Sequence, residues 1–224
     1  MNVVPNTLLE VLEARAQTTE KGFTFLDYQL QPEFWSFARM VSEAQRRASL
    51  FAMLGLQPGD RVALMLPDVR EFVLSFFAAM AAGVVPVPMF PLFGPRASKE
   101  FLLTATNILQ QTCSRVLIAD LLPEELARSA TQAGVQRIVT SEQLNAASSD
   151  LGYVRPDRTA QDTCFLQFTS GSTRAPKGVV VSHANLLANT RAIMLDGIKG
   201  DPETDLGVCW LPLYHDMGLI GHVL

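Results

Sequence analysis

The residues best suited to chemistry lie between Gln167 and Val181, where hydroxyl residues flank Gly171 and a lysine follows that glycine by six positions. Thr169, Ser170, Ser172 and Thr173 can turn O–H groups and neighbouring N–H groups toward one point, and Lys177 adds a compact positive charge. Apolar runs on both sides make the stretch a strand, a loop and a second strand. Such a loop suits a polyphosphate. It is not a Walker A loop, because Pro176 precedes Lys177 and Gly178 follows it, where that pattern needs Gly before and Ser or Thr after. The competing reading is a Ser/Thr-rich surface turn, since Gly, Pro and Ser fill turns for conformational reasons alone.

A second constellation, Trp210-Leu-Pro-Leu-Tyr-His-Asp-Met-Gly-Leu-Ile-Gly221, sets Tyr214, His215 and Asp216 in a row after an apolar segment read as a strand, Leu206–Trp210. Ligands of open α/β sheets gather at the carboxyl ends of strands, which would place this trio at a site. Asp216 could equally be a plain N-cap for the following segment, with His215 its hydrogen-bonded neighbour. His183, a lone histidine at the start of a predicted helix, is read as a capping or packing residue.

The elements that must hold these residues alternate. Residues 7–17 place Leu8, Leu9, Leu12 and Ala16 on one face of a helix that Asn6 or Thr7 can cap. Phe23–Leu26 is a short strand, and a long helical pattern runs from Glu33 to Leu54, stopped by Gly55. Val62–Leu66, a helix over Asp68–Ala82 and a strand at Val84–Pro88 make a βαβ unit. Asp68 and Glu71 suit the helix dipole and need no catalytic role. The rhythm continues with a helix over Lys99–Thr112, a strand at Val116–Ala119, a helix over Glu124–Ala133 and a strand at Gln136–Thr140. The stretches Asn145–Asp150 and Arg155–Arg158 read as a polar surface crossing. After the loop come a strand at Val179–Val181 and a helix over Ala184–Leu195. The expected fold class is α/β, a doubly wound, largely parallel sheet with flanking helices.

The bulk numbers narrow the function. A chain of 224 residues, 48% apolar, can fill a large core. With 18 Lys+Arg against 22 Asp+Glu and no dense basic cluster, nucleic acid is not an expected partner. Cys113, Cys164 and Cys209 are far apart and odd in number, which reads as buried free thiols in a reducing compartment and no metal site. The N-terminus lacks a basic region followed by an apolar one, so the cytoplasm is the expected location. No charge occurs from Phe72 to Pro95, but Gly83, Pro86, Pro88 and Pro91 interrupt that run. Its helical part is roughly 22 Å long at about 1.5 Å per residue, short of a bilayer core of about 30 Å, so no membrane span is expected.

The string Thr-Ser-Gly-Ser-Thr-x-x-Pro-Lys-Gly-Val, eleven positions with two free, resembles the signature loop of the adenylate-forming enzymes: acyl-CoA synthetases, nonribosomal-peptide adenylation domains and luciferases. Arg174 departs from the glycine many members carry there. Leu-Pro-Leu-Tyr-His-Asp-Met-Gly-Leu-Ile-Gly and Pro86-Val-Pro-Met-Phe-Pro91 are most similar to fatty acyl-AMP ligases. The resemblance implies that Thr169, Ser170, Gly171, Ser172, Thr173 and Lys177 bind ATP phosphates, with Mg²⁺ as cofactor. It implies that Tyr214, His215 and Asp216 lie near the acyl carboxylate and the adenylate, with Lys177 and His215 catalytic. A fatty acid would become acyl-AMP and pass to the phosphopantetheine thiol of an acyl carrier protein, or alternatively to CoA. It further implies that residues 1–224 are an incomplete N-terminal AMP-binding domain, its first subdomain, without the C-terminal lid and inactive alone. A natural non-catalytic nucleotide-binding module is the remaining alternative.

Overall fold

The structure is a computed structural model that describes residues 5–17, 20–94, 97–146, 152–169, 176–201 and 204–224. Ser170, Gly171, Ser172, Thr173 and Arg174 of the signature loop therefore lie outside the described residues.

The centre is a four-stranded parallel sheet in the order β4-β3-β5-β6, made of β3 (Arg61–Met65), β4 (Val85–Pro88), β5 (Val116–Ala119) and β6 (Arg137–Val139). Because strand side chains alternate between faces, Val62, Leu64, Val116 and Ile118 enter one core and Ala63, Met65, Leu117 and Ala119 enter another. The first core is covered by α1 (Leu8–Arg15), α2 (Phe37–Met53) and α3 (Val69–Ala81). The second is covered by α4 (Lys99–Thr112) and α5 (Glu124–Gln132). The expected fold class is what is observed.

Helix α3 explains the uncharged run: every residue from Glu71 to Ala81 is buried, so it is a core helix. Among the described residues no helix is long and apolar enough to cross a membrane. Asp68 caps α3 by accepting from the Glu71 N–H at 2.9 Å. At Gly83 (φ +67°) the chain turns from α3 into β4, a left-handed conformation that favours glycine.

The helix expected from Glu33 starts later. Pro32–Ser36 is strand β2, antiparallel to β1 (Gly22–Leu26), and only at Phe37 does α2 begin, capped by Ser36 Oγ accepting from Arg39 N–H at 3.2 Å. Pairing with β1 overrides the helical pattern of these residues. Gly22 opens β1 where a Cβ would run into the Trp35 carbonyl. The polar crossing also begins later than expected, since Asn145 belongs to helix α6 (Ser141–Ala146), whose start is held by Asp120 accepting from the Ser141 N–H and Oγ–H at 2.7 and 2.9 Å.

The strand expected at Leu206–Trp210 does not form. These residues form no ladder, and Leu206 and Trp210 are 90% and 85% exposed. An apolar run becomes a strand only against a neighbour, and none of the described residues supplies one. Of the cysteines, only Cys164 is buried, its thiol pKa pushed up by burial; Cys113 and Cys209 are free but exposed, against expectation.

His183 is structural, as expected. It opens α7 (His183–Arg191), is buried, and its Nδ1 accepts from the Leu8 N–H at 3.2 Å, tying the start of α7 to the first turn of α1. Burial, and then the charge of Arg158, hold its pKa below the ordinary 6.5 despite Asp162 and Glu10. A histidine depressed in the folded state contributes fully above its unfolded pKa and costs stability as pH falls through that value toward the folded one. The urea midpoint is therefore expected to fall between about pH 7.5 and about pH 5.5, and to fall less in His183→Asn. Equal falls in the two proteins would show that His183 is not responsible.

Candidate functional site

Two antiparallel strands carry the signature loop, β7 (Thr163–Thr169) and β8 (Lys177–Ser182). β7 packs beside β4, and Phe165 sets its ring edge-on to Phe76 of α3 at 5.7 Å between centroids. Thr169 pairs with Lys177 across the ladder, so the two ends of the loop are closed at strand spacing. Lys177 is exposed. Just behind the loop, Phe168 pairs with Gly178, and a Cβ at 178 would come within 2.9 Å of the Phe168 ring. Glycine there lets the aromatic ring cover the ladder next to Lys177. The Pro176 carbonyl accepts from Gln111 Nε2 at 3.4 Å, a long contact that links the loop's exit to α4.

Tyr214, His215 and Asp216 lead into a short helical turn. His215 occupies the N-cap position of α8 (Asp216–Gly218), a short helix continued by a π-helical turn over Leu219–Val223. Asp216, weighed from sequence as an N-cap itself, is the first helical residue. Its Oδ1 accepts from the Met217 N–H at 2.8 Å and lies 2.6 Å from His215 Nδ1. Two acceptors cannot approach so closely, so Nδ1 carries a proton and donates to Asp216. The longer approach of Met217 N to Nδ1, 3.4 Å, is then not a bond. With Nδ1–H committed to Asp216, Nε2 of this exposed ring is left for a ligand. Gly218 is required by packing: a Cβ there would strike the Pro212 carbonyl oxygen, which the turn brings under the helix.

Two residues that sequence reasoning did not single out join the motifs. Phe90, beyond the end of β4, meets Tyr214 edge-on at 4.9 Å, and burial raises the Tyr214 phenol pKa. Gln167 of β7 donates from Nε2 to the Tyr214 carbonyl at 3.0 Å. Phe90 sits inside the Pro86–Pro91 string whose resemblance was noted. Gln167 gave no separate signal.

A parallel sheet with flanking helices, a hairpin mouth bearing Thr169 and Lys177, and a Tyr-His-Asp segment tied to that hairpin through Gln167 define an α/β protein with hydroxyl, ammonium and imidazole groups on joined segments. Residues 12–224 match the family described as AMP-binding enzyme, and the chain belongs to that family. A putative acyl-CoA synthetase of Caulobacter vibrioides is 37% identical over 97% of this chain and 38% of its own. The long-chain-fatty-acid–AMP ligase FadD26 of Mycobacterium tuberculosis is 34% identical over 98% of this chain and 39% of its own. Among solved structures, the fatty acid AMP ligase of Legionella pneumophila superposes with a TM-score of 0.80 at 28% identity, over 97% of this chain and 37% of that one. The chain thus spans about two fifths of the length of these relatives.

Proposed function

We propose that the protein activates a fatty acid with ATP and passes the acyl group to the phosphopantetheine thiol of an acyl carrier protein. In the first step a carboxylate oxygen attacks the α-phosphorus, the bond to the bridging oxygen breaks, and pyrophosphate leaves with the electron pair. Lys177 and the hydroxyls of Thr169, Ser170, Ser172 and Thr173, with the backbone at Gly171, stabilise the charge gathering on pyrophosphate. Nε2 of His215, its ring fixed by Asp216, orients the carboxylate and α-phosphate, and Tyr214 walls that side. The observation that carries this reading is the attachment of the Tyr-His-Asp segment to the strand that leads into the signature loop, in a chain of the AMP-binding family. A fatty acid is favoured because FadD26 is named for that substrate.

Mg²⁺ would accompany ATP. Such an ion is held chiefly by phosphate oxygens and water. Residues 1–224 would be the first subdomain of the AMP-binding domain and inactive alone, and exposed free thiols suit the cytoplasm.

CoA as acceptor is the second reading, favoured by the Caulobacter relative's name. The deciding experiment supplies the whole protein with ATP, Mg²⁺, a panel of fatty acids and either CoA or a phosphopantetheinylated carrier protein, and identifies products by mass spectrometry. Carrier loading with little acyl-CoA is expected. Efficient acyl-CoA release would move the protein to the CoA ligases, and no adenylate from any acid would overturn the activity itself.

A further inference from the structure

We infer that Gln167 is a positioning residue: its side-chain amide fixes the Tyr214–Asp216 segment against the strand that leads into the signature loop. Nε2 donates to the Tyr214 carbonyl at 3.0 Å and to the Phe168 carbonyl at 3.2 Å. Both partners are acceptors, so the amide orientation is dictated by chemistry; turned over, it would set oxygen against oxygen. The Tyr214 carbonyl belongs to the peptide bond that continues into His215. On the other side, Gln167 is two residues before Thr169, the ladder partner of Lys177. One side chain thus ties the two functional segments together.

Stability alone does not account for this amide. Gln167 is 5% exposed, and its Oε1 is buried without a hydrogen-bond partner among the described residues. A buried acceptor without a donor is destabilising, whereas an apolar side chain of similar volume fills the same space without it. What Met or Leu cannot do is hold the Tyr214 carbonyl. An oxygen with no partner among the described residues is the cost of a nitrogen aimed at two carbonyls.

The catalytic meaning of this strap rests on the proposed adenylation, so two measurements on the whole protein separate strap from activity. Hydrogen exchange reads the strap directly. Gln167→Met is expected to raise amide exchange over 213–219 several-fold while leaving the β3–β5 ladder unchanged, and Gln167→Glu, whose carboxylate faces two carbonyls, more so. Unchanged exchange over 213–219 in both variants overturns the inference whether or not the enzyme is active. A double-mutant cycle then reads catalysis by ATP–pyrophosphate exchange. If Gln167 acts through His215, Gln167→Met lowers kcat about tenfold in the wild-type background and hardly at all in His215→Ala. Equal fractional losses in both backgrounds would mean general destabilisation and overturn the positioning role. A wild-type protein without exchange activity would instead count against the proposed function, leaving hydrogen exchange to decide the strap.

Discussion

Lys177→Ala in the whole protein is expected to lower ATP–pyrophosphate exchange by roughly 10²–10³-fold, the usual consequence of removing one donor aimed at developing charge. The geometry makes this a clean experiment. Lys177 is the first residue of β8, placed by its pairing with Thr169, and its side chain is exposed. Truncating it leaves the ladder intact, so unfolding should move by no more than about 0.5 kcal/mol. Lys177→Arg keeps the charge but replaces a point donor with a planar fork, and should recover activity only in part. Near wild-type exchange in Lys177→Ala would remove the lysine from the mechanism and leave the hydroxyls to hold the phosphates.

How far the sequence foretold this arrangement depends on what each residue's neighbours are. Lys99–Thr112 and Val116–Ala119 are legible in the sequence because helix period and a short apolar run are local signals. Pro32–Ser36 and Leu206–Trp210 depart from their local patterns for one reason: a short segment becomes a strand only against a neighbour, which β1 supplies across a short turn for the first and no described residue supplies for the second. The same division runs through the site. Thr169, Lys177 and the Tyr214–Asp216 trio stood out by type and spacing, whereas Gln167 looked like a polar interruption of a strand. Its partner lies 47 residues on, beyond the reach of periodicity. The burial of Cys113 and Cys209 was wrongly expected from composition, which does not report where a turn or an unpaired segment falls.

Arg47→Met is expected to destabilise the protein by about 3 kcal/mol, through loss of a buried network that sequence periodicity did not reveal. Arg47 lies on the core face of α2, 1% exposed. Its guanidinium donates to Glu43 Oε1 at 2.7 Å, Glu71 Oε2 at 2.8 Å, Asn145 Oδ1 at 2.6 Å and Ser75 Oγ at 3.1 Å, so it joins α2, α3 and α6. Burial pushes the Glu43 carboxyl up, but bonds from Arg46 and Arg47 outweigh it and hold the pKa below its ordinary value. Methionine fills the volume and abandons these groups. Glu71 retains Arg70 at 3.2 Å and Asn145 at 3.3 Å, which keeps the loss near the lower end of the about 3–5 kcal/mol typical of a broken buried pair. For a chain of this size that corresponds to a fall of roughly 6–12 °C in the unfolding midpoint. Adding Glu71→Gln should recover part of it, because the uncompensated carboxylate, more than the lost packing, carries the penalty. A double variant as unstable as the sum of its parts would place the cost in packing instead. Since α3 connects β3 to β4, and Phe90 beyond β4 braces Tyr214, Arg47→Met should also loosen the Tyr-His-Asp segment at temperatures where the rest remains folded.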